Sequence, residues 1–599
     1  MATDLWGTLV ADITAPLDAW LAEHEAEPGL ALAPPTREGT EDDLAAACHR
    51  YARVFRKAPQ MIAADLAEVA RTHPLVASAE AVNGFLNLRF DWAAVAGRTL
   101  DWALTDDGAL GQSDALAGQK VVVEYSSPNT NKPLHVGHLR NNMLGSTAAK
   151  LLAAAGADVH RVNLINDRGI HICKSMLAFQ RFGAGATPES MGLKSDHFVG
   201  HFYVVFDQAF AAETEAAGVS KEDAVAFFNG DSELGNGART MLRDWEAGDA
   251  DVHDLWGRMN DWCETGLLET YARMGVAFDQ IQHESETYLL GKDLVGEGLE
   301  RGVFTHADNG AVVFPLEPLG LEGEKAVLRA DGTSMYVTQD FGTAVSRYEQ
   351  HGFDRMVYVV GNEQERHFQV LFGILAKLRP ALDGRLQHLS YGMVELPDGK
   401  MKSREGTVVD ADDLMDELQA RARAEGAERW PDLDEAELSA RAEAVAQAGL
   451  KFFLLKYAPR TNFVFDKENS IKPEGETGPY CQYAYARAGS ILRKLGDADA
   501  GHTPDLAALD GPQARAVLTA MMRFHGEVAA AALELRPSLL TKATFDVART
   551  FATFYNHPDC SVLKAKPGPQ AARAQLVRAA RRVLGAGLAL MGIEALEEM

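Results

Sequence analysis

Two histidines, His135 and His138, stand on either side of Gly137 where a polar loop gives way to a long helical pattern. A helix N-terminus presents unpaired N–H groups and the positive end of the helix dipole, which together favour an anion. Imidazoles placed there add donors for phosphate oxygens. The glycine removes a side chain where a flat base can lie against the backbone. This combination suits a nucleotide whose α-phosphate is attacked by a carboxylate. A His-x-x-His pair on a helix also fits a zinc site or a pair of structural histidines. For zinc, no third ligand stands close in sequence and no CxxC occurs; Cys48, Cys173, Cys263, Cys481 and Cys560 are scattered.

The elements that must position this pair run from Val121 to Ala155. A valine-rich apolar run reads as a buried strand of a parallel sheet. The loop Ser126 to Leu134 follows, with two prolines and two asparagines. Then comes a helix carrying Leu139, Met143, Leu144, Ala148, Leu151 and Leu152, stopped by Gly156. Strand, loop and helix form the first unit of a doubly wound α/β fold, whose ligands sit at the strand's carboxyl end. The arrangement resembles the signature of class I aminoacyl-tRNA synthetases, although His-x-Gly-His is shared with other nucleotidyl transferases. The longer phrase, Glu124-Tyr125-Ser126-Ser127-Pro128-Asn129 through Lys132-Pro133 to His138-Leu139-Arg140, resembles the arginyl-tRNA synthetases.

With 599 residues the chain has room for about three to five domains. Its 47% hydrophobic and 24% charged content is that of a globular protein. No apolar run is long enough for a membrane span. The start lacks the basic and apolar regions of a signal peptide, and the cysteine pattern suits a reducing cytoplasm. A formal charge of −27 is awkward for a nucleic-acid partner. Basic faces can be concentrated where such a partner docks, or the acidity can reflect a salt-rich cell in which repulsion is screened.

The fold class expected is α/β. It comprises a Rossmann-type doubly wound parallel sheet with an insertion, an N-terminal α+β domain and a C-terminal all-helical bundle. Residues 1–110 read as the N-terminal domain, 111–178 and 326–410 as the two halves of the sheet, and 179–325 as the largely helical insertion. Residues 411–465 read as a helical junction and 466–599 as the bundle. The segment Ala58 to Phe90, with Gly84-Phe85-Leu86-Asn87, is similar to the N-terminal domain of arginyl-tRNA synthetases, which implies contact with the tRNA elbow. A second strand, Val159 to Ile165, ends in Asn166-Asp167-Arg168-Gly169. The family has a glycine-aspartate-tryptophan-glycine turn near here, so only Asp167 and Gly169 carry over.

Tyr336 and Asp340, four apart at the start of a helical stretch, can face one pocket. A lone aspartate there is also explained as a capping or solvated residue. A guanidinium calls for a bidentate carboxylate, and the pair matches the family's arginine-recognising tyrosine and aspartate. The same resemblance adds Glu124, Asn129 and Gln364 to an arginine pocket; His367 and Phe368 also match. Pro397 to Thr407 resembles the mobile second signature, whose cations follow charge onto pyrophosphate. Here Lys402, Ser403 and Arg404 occupy its slots and the second lysine is missing, so Lys132, Lys402 and Arg404 all remain candidates for its work. Tyr480, Tyr483 and Arg487 share a helix face that reads either as helix core or as a base-stacking stripe. With Tyr555, Arg578 and Arg582 they are the candidate tRNA contacts.

The resemblance as a whole implies ATP with Mg2+ as the substrate complex, no protein-held metal and no zinc. It also implies L-arginine and tRNA(Arg) as partners, no membrane partner, a monomer, and activation that waits for tRNA. Three rivals remain: a class I synthetase for another amino acid, an adenylyltransferase without tRNA, and a catalytically inactive RNA-binding relative.

Overall fold

A computed structural model describes residues 5–35, 42–105, 110–395 and 409–599. The chain divides into two units, one of residues 117–153 and 157–471, the other of residues 1–116, 154–156 and 472–599.

The first unit is built on five parallel strands: β1 (Lys120–Glu124), β2 (Asp158–Ile165), β3 (Gln280–His283), β4 (Arg355–Gly361) and β5 (Leu386–Tyr391). Their order in the sheet is β5-β4-β1-β2-β3. Val121, Val122 and Val123 are all buried, as a strand covered on both faces requires. The order reverses between β1 and β4, so the crevice beyond their carboxyl ends is where such a sheet receives a ligand. Helix α1 (Val136–Ala154) follows β1, and α2 (Ile170–Phe182) follows β2. Next come α3 (Ser195–Ala216) and α4 (Ala250–Met274). Helices α5 (Tyr336–His351) and α6 (Glu365–Leu378) flank β4, and α7 (Ala411–Arg429) and α8 (Glu435–Leu455) follow β5.

Strand β3 arises inside the stretch read from sequence as insertion. Its residues, Gln-Ile-Gln-His, pair with β2 at the sheet's edge and present no apolar run, so periodicity does not reveal it. The same stretch contains a small antiparallel sheet, Thr305–His306, Val312–Pro315 and Glu324–Leu328. One continuous core joins this small sheet to the parallel one. Phe304, Phe314 and Val327 pack with Phe341 of α5, Met356 of β4 and Leu371, Ile374 and Leu378 of α6. Burying each such side chain stabilises by about 1.5–3 kcal/mol, and this core holds α5 in place beside the crevice.

In the second unit, an antiparallel sheet of Leu44–Ala47, Phe85–Phe90 and Val76–Val82 carries the helices Leu5–Glu23, Pro59–Ala70 and Trp92–Leu104. Four helices complete it: Gly478–Leu495, Pro512–Leu533, Pro537–Asn556 and Pro567–Leu590. Proline at the first helical position costs no hydrogen bond and presets φ, which explains three of these starts. The two ends of the chain interlock through aromatics. The Arg523 guanidinium lies 4.7 Å over Trp6, and Trp102 meets His525 edge-on at 6.1 Å. Among the described residues no helix is long and apolar enough to cross a membrane.

Candidate active site

Beyond β1 the chain turns through Ser126 and Ser127, both left-handed at φ +76° and +48°. Each costs about 1–2 kcal/mol for a residue with a side chain and persists only where neighbours over-determine it. Here Asn141 of α1 accepts the Ser126 N–H at 2.6 Å, and Asn163 of β2 accepts that of Ser127 at 3.0 Å. The Asn141 amide also donates to Val359 of β4 at 2.7 Å, so three elements grip the turn that launches the polar loop.

At the start of α1 the two imidazoles face each other, ring centroids 3.9 Å apart. His135 Nδ1 accepts the Gly137 N–H, and His138 Nδ1 accepts the His135 N–H, both at 3.1 Å. With each Nδ1 used as an acceptor, the neutral rings carry their proton on Nε2. Burial, aided by the Lys132 charge, lowers His135 to about 4. Burial, then the neighbouring His135 and Lys132, lower His138 well below its ordinary value. Burial also lowers Lys132. The turn therefore offers two neutral Nε2–H donors at the positive end of a helix, beside a lysine.

The second signature residues Lys402, Ser403 and Arg404 lie outside the described residues. The backbone on either side of that stretch is placed. Val394–Glu395 pairs in parallel with Phe463–Val464. On the other side, the Ala411 N–H donates to the Leu134 carbonyl at 3.0 Å and the Val136 N–H to that of Val409 at 3.4 Å.

Across the crevice, a small cavity of about 60 Å³ is lined by Glu124, Leu164, Asp340, Thr343, Arg347, Tyr358, Phe368 and Leu371. Asp340 receives His367 Nε2 at 2.7 Å. Glu124 is buried and paired with the chain's own Arg347, whose Nε also donates to Gln282 of β3 at 2.7 Å. Of the residues expected in an arginine pocket, Glu124 and Asp340 thus come together, but one oxygen of Glu124 is already taken. Tyr336, at the first position of α5, stands 77% exposed and does not line this cavity. It is four positions before Asp340 in the same helix, yet it faces solvent while its neighbours Val337 and Thr338 are buried. Asn129, within the loop after β1, and Gln364, in the turn after β4, are both exposed.

Sequence reasoning missed Glu284, which opens a four-residue helix directly after β3. Burial is the main cause that raises its carboxyl to about 7; nearby Arg168 opposes this, while Asp167 and Asp340 add to it. Its only sequence signal is position, the residue following a strand's carboxyl end, and that signal depends on seeing β3. Asp167 is buried and accepts both the N–H (2.8 Å) and the hydroxyl (2.6 Å) of Ser285, tying β2 to β3. Gly169 supplies a φ of +105° before α2. Arg168, where the family has an aromatic residue, lies 3.9 Å over Tyr288 and 5.4 Å from Trp245.

Among the described residues, Asp196, His197 and Asp412 bring ligand atoms within 4.8 Å of one another, the spacing of a metal site. The Lys194 ammonium already stands among them, 2.6 Å from Asp412 and 3.2 Å from Asp196, so the chain supplies its own cation there.

In the second unit, Tyr480, Tyr483, Arg487 and Tyr555 gather around a cavity of about 150 Å³ with Phe551 and Asn556. Arg487 lies 5.0 Å over the rings of both Tyr483 and Tyr555, hydrogen-bonded to both hydroxyls. The stripe is half-buried at the surface, which leaves its rings reachable. Arg578 and Arg582 are elsewhere, on the rim of a larger cavity of about 740 Å³. Arg578 is paired with Asp499 at 2.6 Å, and Arg582 donates to the Thr105 carbonyl at 3.0 Å.

A parallel sheet with its switch point beside a His-x-Gly-His helix start is the arrangement of class I aminoacyl-tRNA synthetases and of other nucleotidyl transferases, and the family described as "tRNA synthetases class I (R), catalytic domain" matches residues 99–467, which places the chain in the first of these. "Arginyl tRNA synthetase N terminal domain" matches 9–90 and "DALR anticodon binding domain" 481–599. The chain is 44% identical to the arginine–tRNA ligase of Parabacteroides distasonis, covering 92% of each. With that of Treponema denticola it shares 41%, over 93% of each. Thermus thermophilus arginyl-tRNA synthetase superposes with a TM-score of 0.75 at 25% identity, covering 98% of this chain and 99% of that one. The chain belongs to the arginyl-tRNA synthetase family.

Proposed function

We propose that this chain activates L-arginine with ATP and transfers it to the 3′-terminal adenosine of tRNA(Arg), as a monomer in the cytoplasm. The observation that carries the reading is the opposition of two groups across one crevice. On one side stand two neutral Nε2–H donors at a helix start; on the other stands an acidic cavity. His135 and His138 hold the phosphates of Mg2+-bound ATP, and the α1 dipole adds to their pull on charge that develops there. Gly137 gives the base room. The guanidinium is held by Asp340, kept in orientation by His367, with Glu284 as a second carboxylate and Glu124 fixed on the wall by Arg347. Tyr336, Asn129 and Gln364, exposed and outside the lining of this cavity, are assigned to the substrate's backbone end. The arginine carboxylate attacks the α-phosphorus in line, the bond to the bridging oxygen breaks, and pyrophosphate leaves with magnesium. Lys132, Lys402 and Arg404 share the neutralisation of that leaving charge. A ribose hydroxyl of the terminal adenosine then attacks the adenylate and releases AMP. Most of the acceleration comes from positioning and charge stabilisation. The tyrosines and Arg487 of the helical bundle offer stacking surfaces for unpaired bases.

The test is ATP–pyrophosphate exchange with each of the twenty amino acids, with and without bulk tRNA. Exchange with arginine alone, appearing only when tRNA is present, is the expected result. Exchange with another amino acid would move the pocket assignment, and none at all with tRNA still bound would point to an RNA-binding role.

A further inference from the structure

Both backbone segments that frame the His135–His138 turn rest on α3 of the insertion. At its start, Lys194 Nζ donates to Asp412 at 2.6 Å and to the fully buried Asp196 at 3.2 Å. Thr270 of α4 donates its hydroxyl to the same Asp412 at 3.1 Å. His197 Nε2 lies 3.4 Å from both Asp410 and Asp412. Asp410 in turn caps α7 by accepting the Asp412 N–H at 2.8 Å. Val409 to Ala411 is the strand-like stretch that exchanges backbone hydrogen bonds with Leu134 and Val136, directly opposite His135.

One turn along α3, Gly200 presses on the other segment. A Cβ there would meet Pro133 Cδ at 2.7 Å, so only glycine lets the helix approach this closely. The Lys132 carbonyl meanwhile accepts from Cys263 of α4 at 3.9 Å.

Charge keeps the cluster closed at neutral pH. Burial alone raises the Asp412 carboxyl, but the bonds from His197 and Lys194 outweigh it and hold it at about 2. Bonds to Asp410 and Asp412, working against burial, push His197 up to about 10. Two cations thus face three carboxylates.

We infer that Lys194 and His197 are positioning residues for amino-acid activation: they clamp Val409–Asp412 so that its backbone ladder sets the His135–His138 turn, while Gly200 seats Lys132–Pro133 from the same helix. The inference rests on the reading of this crevice as an adenylate-forming site. Both residues spend their polar atoms on Asp196, Asp410 and Asp412 and neither is assigned to ATP or arginine, so removing one should disturb turnover rather than arginine binding.

The experiment uses the full chain and the variants Lys194→Met, Lys194→Arg, Asp412→Asn and the double Lys194→Met/Asp412→Asn. In arginine-dependent pyrophosphate exchange with tRNA, Lys194→Met should lower kcat about tenfold or more with KM for arginine within about twofold. Lys194→Arg should recover most of the loss. The double variant should be no worse than the poorer single, because both remove one contact. A loss confined to KM, no recovery with arginine, or singles whose effects multiply would each overturn the clamp. Hydrogen exchange supplies a readout independent of activity. Peptides covering residues 132–140 and 409–415 should exchange about tenfold faster in Lys194→Met, through the amides of Val136 and Ala411. Unchanged exchange in both peptides would refute the clamp. A wild-type chain silent in pyrophosphate exchange would instead sink the functional reading, and hydrogen exchange would still decide the clamp.

Discussion

The carboxyl of Glu284 gives the most quantitative test of the arginine pocket. Burial, reinforced by Asp167 and Asp340 and opposed by Arg168, moves it from an ordinary 4.5 to about 7. Protonated Glu284 is therefore favoured in the folded chain. The stability this lends is complete below the unfolded value and is lost as pH rises through about 7. Above that, the ionised group costs about 3 kcal/mol in the empty site, a cost that a cation beside it relieves. If arginine binds only the ionised form, its apparent dissociation constant scales as one plus the ratio of protonated to ionised carboxyl. That factor is about 11 at roughly pH 6 and about 1.1 at roughly pH 8. KM for arginine, measured by pyrophosphate exchange at saturating ATP and tRNA, should accordingly fall about tenfold across that interval. The two active-site imidazoles cannot supply the slope, since His135 titrates at about 4 and His138 is also held far down. Glu284→Gln should flatten the slope and raise KM at the upper end by roughly 10- to 150-fold, the worth of a charge-assisted bond of about 1.5–3 kcal/mol. Asp340→Asn, by contrast, should raise KM for arginine across the interval while leaving KM for ATP nearly unchanged. A wild-type KM that is flat with pH, or a slope that survives in Glu284→Gln, would refute the placement of this carboxyl beside the guanidinium.

Two further predictions follow from packing. Gly145, inside α1, has no room for a side chain because a Cβ would fall within the Tyr125 ring; Gly145→Ala should therefore lower stability by about 1–3 kcal/mol, read as a shift in the denaturation midpoint with an unchanged slope. Arg487→Met breaks the bonds to Tyr483 and Tyr555 and loosens the cavity they line; tRNA affinity should fall while exchange at saturating tRNA is retained, and unchanged affinity by filter binding would remove this cavity from the tRNA footprint.

What was legible in the sequence was local. An apolar run, a proline-containing loop and a helical spacing announce β1, the turn and α1, because each signal lies within a few residues of the structure it specifies. The same holds for Asp340, readable as a helix-start carboxylate from its own neighbourhood. The missing parts are set at long range. His367 reaches Asp340 across 27 residues, and Arg347 reaches Glu124 across 223, so neither pairing leaves a mark in either segment. Glu284 sits in four residues of helix after a polar edge strand, too short for any period, and only burial among Asp167, Arg168 and Asp340 makes its carboxyl unusual. Tyr336 keeps the four-residue spacing to Asp340 that the sequence shows, but exposure is a tertiary property: it stands 77% exposed while its neighbour Val337 is buried, and spacing alone carries neither fact.

The unit that joins residues 1–116 to 472–599 imposes an order of events on synthesis. The N-terminal stretch leaves the ribosome about 350 residues before the helices it packs on, an interval of roughly 20–70 s at ordinary elongation rates. Throughout that time Trp6 and Trp102 lack Arg523 and His525, and Leu5–Glu23 packs on Pro59–Ala70 without its later partner, Pro512–Leu533. The parallel-sheet unit, spelled out in between, can close before its neighbour begins. The nascent chain thus carries the N-terminal sheet and its helices before their later partners exist, and the helices from Gly478 onward serve as the closing step of folding as well as a surface of the mature protein.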